Sequence, residues 1–382
     1  MKNKILLILF STFMFFFLVL FIIYFVKCTN VIKESNEFKT ASFEREKEYE
    51  EKIDQLNSEL LRNENKIQKL EEAIDIYSDK NYGIKAHGRL KVGEKGLLDQ
   101  NNCPVQLKGM STHGITWYPR FTSAGAFKTL KEYGANVVRL AVYSDQPGSY
   151  PYNSKENMNY MYLAIENALA INMYVIVDWH VLREEDPNVT KAYAKEFFED
   201  VTSRYGNHEG IIYEICNEPN GDDTLWEDVC SYADEIIPLI RKNAPDSVII
   251  VGTPDFCTDI EEAAENPLMY ENILYSMHTY LDLSDDDDDF DSIDRYAKKF
   301  NLGIPVIVSE WGMKNTDGKI YTEQVEYFVD VMEENNISWC SWSLSNKNEP
   351  YSLVKHTSNK LSGWTEDDLT VSGKIIKEAL EN

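Results

Sequence analysis

The sequence predicts an α/β protein: a parallel (β/α)8 barrel of the TIM type over residues 85–382, preceded by a transmembrane helix and a helical coiled-coil stalk. Three observations carry this. Short apolar runs alternate with helical patterns eight times in the carboxyl-terminal part of the 382-residue chain. A nearly unbroken apolar stretch runs from Ile5 to Val26, and a charged segment with heptad spacing lies between the two.

The amino-terminal stretch is long enough to span a bilayer as a helix, which takes about 20 apolar residues. It exceeds the apolar core of a cleaved leader, and no small-x-small cleavage site follows it. A signal-anchor over residues 1–30 is therefore expected, with secretion after cleavage as the alternative. Lys27 stands where lipidation at Cys28 would require a small residue. Lys2 and Lys4 before the span put the amino terminus on the cytoplasmic side and the rest of the chain at the cell surface. In residues 31–77, Ile53, Leu56, Leu60, Asn63, Ile67, Leu70, Ile74 and Tyr77 recur at alternating steps of three and four, the pattern of a and d positions. Two readings are open: a stalk that pairs with a second copy, Asn63 fixing the register, or a single charged helix serving as a spacer. A linker is expected at 78–84.

In the remaining domain, Leu90 to Gly93 and Gly96 to Asp99 form a hairpin pattern. Eight strand candidates follow: Val105 to Met110, Asn136 to Val142, Tyr174 to Asp178, Ile211 to Cys216, Val248 to Gly252, Ile273 to Met277, Pro305 to Ser309 and Ile337 to Ser341. Helical patterns such as Glu156 to Ile171 and Asp223 to Asn243 separate most of them. Apolar strands alternating with helices imply a parallel sheet covered by helices. Eight units in about 280 residues suit a closed barrel. No Gly-x-Gly-x-x-Gly of a dinucleotide fold is present.

Composition narrows the partners. A net charge of −26 without a basic stripe repels phosphate backbones, so no nucleic acid partner is expected, while neutral polymers remain open. Six cysteines lack Cys-x-x-Cys spacing, and no His-x-x-x-His or His-x-Glu appears, which argues against a metal site. The run Asp285 to Asp289, after the sixth strand, reads as a solvated loop, with calcium binding as the alternative although the spacing is not an EF-hand's.

Functional side chains of such a barrel belong at the carboxyl ends of its strands. His113, Arg139 and Tyr143, Trp179-His180, Asn217-Glu218, His278 and Tyr280, Glu310-Trp311 and Trp342 all stand there. Two carboxylates on separate strand ends, Glu218 and Glu310, are what a retaining glycosidase needs when they stand about 5 Å apart. From about Leu90 to Leu380 the chain resembles glycoside hydrolase family 5, and within it the bacterial endo-β-1,4-glucanases. The resemblance rests on Lys108-Gly109-Met110-Ser111-Thr112-His113-Gly114, Asn136-Val137-Val138-Arg139, Asp178-Trp179-His180, Glu214-Ile215-Cys216-Asn217-Glu218-Pro219, His278-Thr279-Tyr280, Ser309-Glu310-Trp311-Gly312, Trp342 to Glu349 and Gly363-Trp364-Thr365-Glu366.

That resemblance implies Glu218 as acid/base and Glu310 as nucleophile of an endoglucanase that needs no cofactor. It implies Arg139, Asn217, His113, His180, His278 and Tyr280 as supporting residues, Arg139 and Tyr280 holding the nucleophile and Asn217 bonding the sugar 2-hydroxyl. Trp342 would be the platform under the sugar at the cleavage site. Trp117 and Tyr143 would line the non-reducing side and Trp226 the reducing side. Lys347 and Glu349 would bond the next glucose, which favours β-1,4-glucan as the partner over mannan; mixed-linkage β-glucan and xyloglucan are the alternatives. Trp311 and Trp339 are expected to be packing residues. The stretch Thr253-Pro254-Asp255-Phe256 departs from the family, which often has a tryptophan there. From another class, a non-catalytic carbohydrate receptor on a stalk would not need Glu218, Glu310, Arg139, Asn217 and Tyr280 together.

Overall fold

The computed structural model describes residues 82–206, 208–282, 289–314 and 322–381 continuously, together with 18–33 and separate positions between 14 and 63. The chain divides into two compact units, Met1–Tyr77 and Ser78–Asn382. In the first unit, residues 18–33 are helical, and the described stalk positions Ile53, Leu56 and Leu60 are helical with more than half of their surface exposed. Among the described residues no helix is long and apolar enough to cross a membrane. The first part of the expected anchor, residues 1–13, and the seam residues Ile67, Leu70, Ile74 and Tyr77 lie outside the described residues, as do 285–288 of the acidic run.

The second unit opens with a small antiparallel sheet, β1 (Lys91–Gly93), β2 (Gly96–Leu98) and β3 (Pro104–Val105). The barrel is closed by β4 (Lys108–Thr112), β5 (Val137–Tyr143), β6 (Tyr174–His180), β7 (Ile211–Glu214), β8 (Ile249–Gly252), β9 (Ile273–Asp282), β10 (Val306–Lys314) and β11 (Trp339–Leu344), with β11 returning to pair with β4. Every pairing within it is parallel. The eight expected strands are thus present. Boundaries differ: Val105 pairs with Leu97 in the small sheet, so the first barrel strand begins only at Lys108, β7 stops at Glu214, β9 and β10 run on to Asp282 and Lys314, and β11 is shifted to Trp339–Leu344. Part of the expected linker also belongs to the domain. Asn172 accepts from Lys85 N–H and donates to the Tyr82 carbonyl, tying residues 82–85 down.

Helices Ala124–Glu132, Ser154–Ala170, Lys191–Tyr205, Trp226–Asn243, Asp289–Lys299, Thr322–Glu334 and Val371–Glu381 supply the outer layer. Ends are set locally: Ser123 caps the first helix by accepting from Ala126 N–H, and Asp228 accepts from Leu225 N–H at the start of the fourth. Each barrel strand shows period-2 alternation. Val138, Val175, Val177, Tyr213 and Val308 join the core beneath the helices, while Val137, Tyr174, Ile176, Ile212, Ile250, Leu274, Ile307 and Cys340 form a separate apolar cluster inside the barrel.

Two residues further along, the same inward register carries Arg139, Asp178, Glu214, Ser276 and Ser309, all buried. The barrel interior therefore changes from an apolar lower layer to an ionic upper one. A bulge on β10 adjusts this pattern, and a second register shift lies between Trp342 and Leu344 on β11. Ile307 pairs with Ser276 and Glu310 with His278, so β10 carries one extra residue and brings the consecutive Ser309 and Glu310 to the same polar network. Trp311 then returns to the outer core.

Gly109 sits where β4 and β5 approach most closely, and a Cβ there would lie 2.0 Å from the Val137 carbonyl oxygen. The oxygen belongs to the strand backbone and cannot swing away. Gly109→Ala is expected to cost about 1–3 kcal/mol through overpacking and to lower the thermal midpoint by several degrees, followed by circular dichroism. Melting together with the parent would contradict this close approach.

Candidate active site

At the carboxyl ends of the strands the polar layer is organised around one guanidinium. Arg139 is fully buried; its Nε donates to Glu214 Oε2 (2.6 Å) and its Nη2 to Glu214 Oε1 (3.2 Å) and Asn217 Oδ1 (2.6 Å). Nη1 donates to Ser111 Oγ (3.1 Å) and Glu310 Oε2 (3.0 Å), and Asp178 Oδ2 lies 3.1 Å from Nη2. One cation thus faces three carboxyl groups. Such an assembly is stable only while its geometry satisfies nearly every donor.

Glu310 receives a second hydrogen bond, from the Tyr280 hydroxyl to Oε1 at 2.5 Å. Burial raises its pKa, the neighbouring Glu218 raises it further, and His278, Arg139 and His180 oppose the rise. Glu218 is pushed up to about 8, chiefly by burial, with Asp178 and Glu214 adding repulsion and Arg139 opposing. Carboxylate oxygens of Glu218 and Glu310, with a ring nitrogen of His278, all lie within 4.8 Å of one another. Two buried carboxyls this close titrate as a pair. Both donors point at Glu310, so its anion is the stabilised one and the shared proton stays on Glu218.

The hydrogen-bond chain behind Glu218 leads to the same assignment. Glu214, held by two bonds from Arg139, can only accept, and Ser309 Oγ donates to its Oε1 at 2.7 Å. Ser309 Oγ has then spent its hydrogen, so His278 Nε2, 2.9 Å away, must be the donor between them. Burial lowers the His278 pKa to about 4, so the ring is neutral and its Nδ1 bears the lone pair. Glu218 Oε1 lies 2.9 Å from that nitrogen and must itself donate. A protonated Glu218 is the form this network accommodates.

Aromatic rings wall the site. Trp342 is buried at its rim, with the His180 ring nearly parallel to it at 5.4 Å and His113 at 5.1 Å. Tyr143 lies 4.2 Å from His180, and the half-exposed Trp117 meets Tyr143 edge-on at 4.7 Å. Lys347 Nζ lies 3.1 Å from His113 Nε2 and pairs with Glu349 Oε2 at 2.5 Å, while Glu349 Oε1 is buried without a hydrogen-bond partner among the described residues. Asn217 is fixed at both ends, its Nδ2 donating to the Val181 carbonyl at 3.0 Å.

One sequence expectation is corrected. Trp226 is only 2% exposed, donates from Nε1 to the Asn266 carbonyl and packs in the outer core, so it offers no face to a ligand. Its place at the first turn of an amphipathic helix turned the ring inward. An exposed aromatic does stand beside the Glu218 turn: Phe256, whose N–H donates to the Pro219 carbonyl. Asp255, Phe256 and Cys257 are three successive non-glycine residues with φ of 51°, 56° and 60°, a conformation that surrounding contacts must enforce. The Cys257 thiol, 2.9 Å from the Asn217 carbonyl, supplies one such contact. Trp311 and Trp339 are buried in the core as expected.

Sequence reasoning gave no role to Asp178, Glu214, Ser111 or Ser309. The available signal was a polar residue in the inward register of an otherwise apolar strand.

A model of the cellulase family, glycosyl hydrolase family 5, matches residues 98–348. The chain belongs to that family. It is 40% identical over 298 residues to an endoglucanase of Clostridium saccharobutylicum, covering 77% of this chain and 65% of that protein. It is likewise 40% identical over 299 residues to endoglucanase A of Butyrivibrio fibrisolvens, covering 76% and 68%. Among solved structures, the catalytic domain of Thermobifida fusca endoglucanase Cel5A superposes with a TM-score of 0.72 at 32% identity, over 78% of this chain and 99% of that one. A further structure of that domain holds cellotetraose. The chain thus spans roughly two thirds of the curated relatives' length and nearly all of a family 5 catalytic domain.

Replacing the central cation tests the account of the network. Arg139→Met leaves Asp178, Glu214 and Glu310 facing one another, and the loss should be about 3–5 kcal/mol. Protonation relieves the repulsion, so the difference in unfolding midpoint from the parent should be larger above pH ~8 than below pH ~6. A difference that does not vary with pH would refute the charge assignment.

Proposed function

We propose that this chain is an endo-β-1,4-glucanase that cleaves by double displacement with retention of configuration, Glu218 acting as acid/base and Glu310 as nucleophile. The observation that carries the reading is the carboxyl pair, within 4.8 Å and in opposite environments. That separation favours direct attack over activation of an intervening water, which needs a wider gap. Glu218 donates its proton to the leaving glycosidic oxygen as Glu310 attacks the anomeric carbon. Arg139 and Tyr280 hold the attacking oxygens and are left facing an ester. Once that bond forms, the Glu310 charge is gone, the pKa of Glu218 falls, and its carboxylate takes a proton from the incoming water.

Several features favour a β-1,4-linked glucan chain. Flat rings at Trp342 and Trp117 suit the C–H faces of equatorial glucose units, and the bare Glu349 oxygen, next to Lys347, is an acceptor for a hydroxyl of the following sugar. Phe256 is the aromatic we assign to the leaving-group side. The relatives named endoglucanase support the same substrate class.

We further propose that the domain is displayed from a membrane with its active site outside the cell, and that the stalk serves as spacer or pairing helix. The support is the apolar run Ile5 to Val26 behind Lys2 and Lys4, and the heptad seam after it. Activity that sediments with membranes and reaches added polymer in intact cells is expected; activity found mainly in the culture fluid would count against display.

Reducing ends released from carboxymethylcellulose are the test of activity. Glu218→Gln and Glu310→Gln should each lower the rate by several orders of magnitude without moving the melting midpoint. Proton NMR of the first product should show the β-anomer; an α-anomer would sink the retaining reading. The pH dependence follows from the pair. kcat/KM should persist through neutrality and fall as the pH passes about 8, where Glu218 loses its proton, with Glu310 setting the acid limb. An alkaline limb near the ordinary carboxylate range would contradict the assignment.

A further inference from the structure

Asp178 stands two residues before His180 on β6, fully buried, and takes no part in bond making. Its Oδ2 lies 2.7 Å from His180 Nδ1 and 3.1 Å from Arg139 Nη2. Arg139 Nη2 already donates to Glu214 and Asn217, so His180 is the hydrogen-bond partner of Asp178 while the arginine supplies charge alone. Among the described residues Asp178 Oδ1 is buried with no hydrogen-bond partner. A lasting full charge on a carboxylate with one bare buried oxygen is costly, which makes this group poised to exchange its charge for a proton.

We propose that Asp178 is a positioning residue for the glycosidase reaction: its carboxyl, bonded to His180 and set beside Arg139, repels the negative form of Glu218 when charged and so keeps the acid protonated further into the alkaline range. The inference rests on the assignment of Glu218 as acid/base. Groups facing Asp178 are Arg139 and Tyr143 from β5, His180 on its own strand, Glu214 on β7, Cys216 and Glu218 from the segment after it, Tyr232 from the helix Trp226–Asn243, and Glu310 from β10 through their common arginine. Arg139 is the only cation among them. His180, lowered to about 3 by burial, is neutral, and the tyrosines and thiol are pushed upward.

Burial raises Asp178 to about 7 against the opposing pull of Arg139, and Glu218 stands at about 8. While Asp178 is protonated it leaves Glu218 and Glu310 alone; once ionised, its charge adds to the repulsion that Glu218 must overcome to ionise. The same event sets His180. With Asp178 ionised, His180 donates from Nδ1 and its Nε2 is an acceptor; with Asp178 protonated, the carboxyl donates to Nδ1 and Nε2 carries the hydrogen. Asp178 is thereby linked to both the acid and the His180 ring packed against Trp342.

The test is the kcat/KM profile of the full chain and of Asp178→Asn on two cello-oligosaccharide substrates, one with an unactivated sugar leaving group and one releasing 2,4-dinitrophenolate. On the first, the variant's alkaline limb should move down by roughly one pH unit while its acid limb stays in place. On the second, whose leaving group needs no proton, the alkaline shift should disappear. A variant that is uniformly slower, with both limbs unmoved, would reduce Asp178 to a structural role and overturn the proposal. A parent without activity on either substrate would instead overturn the functional reading. Asp178→Ser, which leaves room for a water, is measured beside it in case the asparagine variant does not fold. In the parent, the His180 side-chain 15N shifts should titrate near neutrality; shifts that stay flat there would also overturn the proposal, whatever the variants do.

Discussion

The site depends on a buried guanidinium surrounded by more negative charge than it can neutralise. Arg139 binds Glu214 through two nitrogens, Glu310 through a third contact, and holds Asn217 and Ser111 as well. A lysine could not do this, since its ammonium is a point charge without the planar fork that meets a carboxylate side-on. The surplus of carboxyl groups is useful because it sorts them. Glu214, saturated by Arg139, is the fixed end of the network; Glu310 shares the cation; Glu218 feels its charge but takes no hydrogen bond from it, and keeps its proton.

From this distribution the two protonation states of the carboxyl pair emerge without any difference in residue type. Glu218 and Glu310 are both glutamates, both buried, and both raised by burial. What separates them is the direction of hydrogen bonding. Glu310 accepts hydrogen bonds from Arg139 and Tyr280, whereas Glu218 faces the bare nitrogen of a histidine whose ring hydrogen is committed elsewhere. The Ser309–Glu214 contact supplies that commitment. It exists because a bulge brings Ser309 and Glu310 to the same network from consecutive positions.

Much of this was legible before any coordinates. Alternation of apolar runs and helices implied a closed parallel barrel, and polar residues clustered at strand ends implied where chemistry would lie. Glu218, Glu310, Arg139, Asn217, His278 and Tyr280 meet as expected. Trp226 could not be placed from sequence. A tryptophan at the start of a helix reads equally as cleft or core, and only packing against Tyr275 and a bond to Asn266 decided it. Val105 was misplaced for a related reason: an apolar pair fits a hairpin edge as well as a barrel strand.

The sequence by itself determined the barrel, the strand-end positions and the pair of glutamates, because these follow from residue period and from side-chain type, both local properties. Tertiary structure decided which glutamate is held as an anion and which retains a proton. It also joined Asp178, Glu214 and Ser309 to the site. Those outcomes depend on distances among residues on β5, β6, β7, β9 and β10, and on the directions in which a few hydrogens point. Electrostatic energy inside a protein is set by such distances and by burial, and neither is a property of a residue's neighbours along the chain.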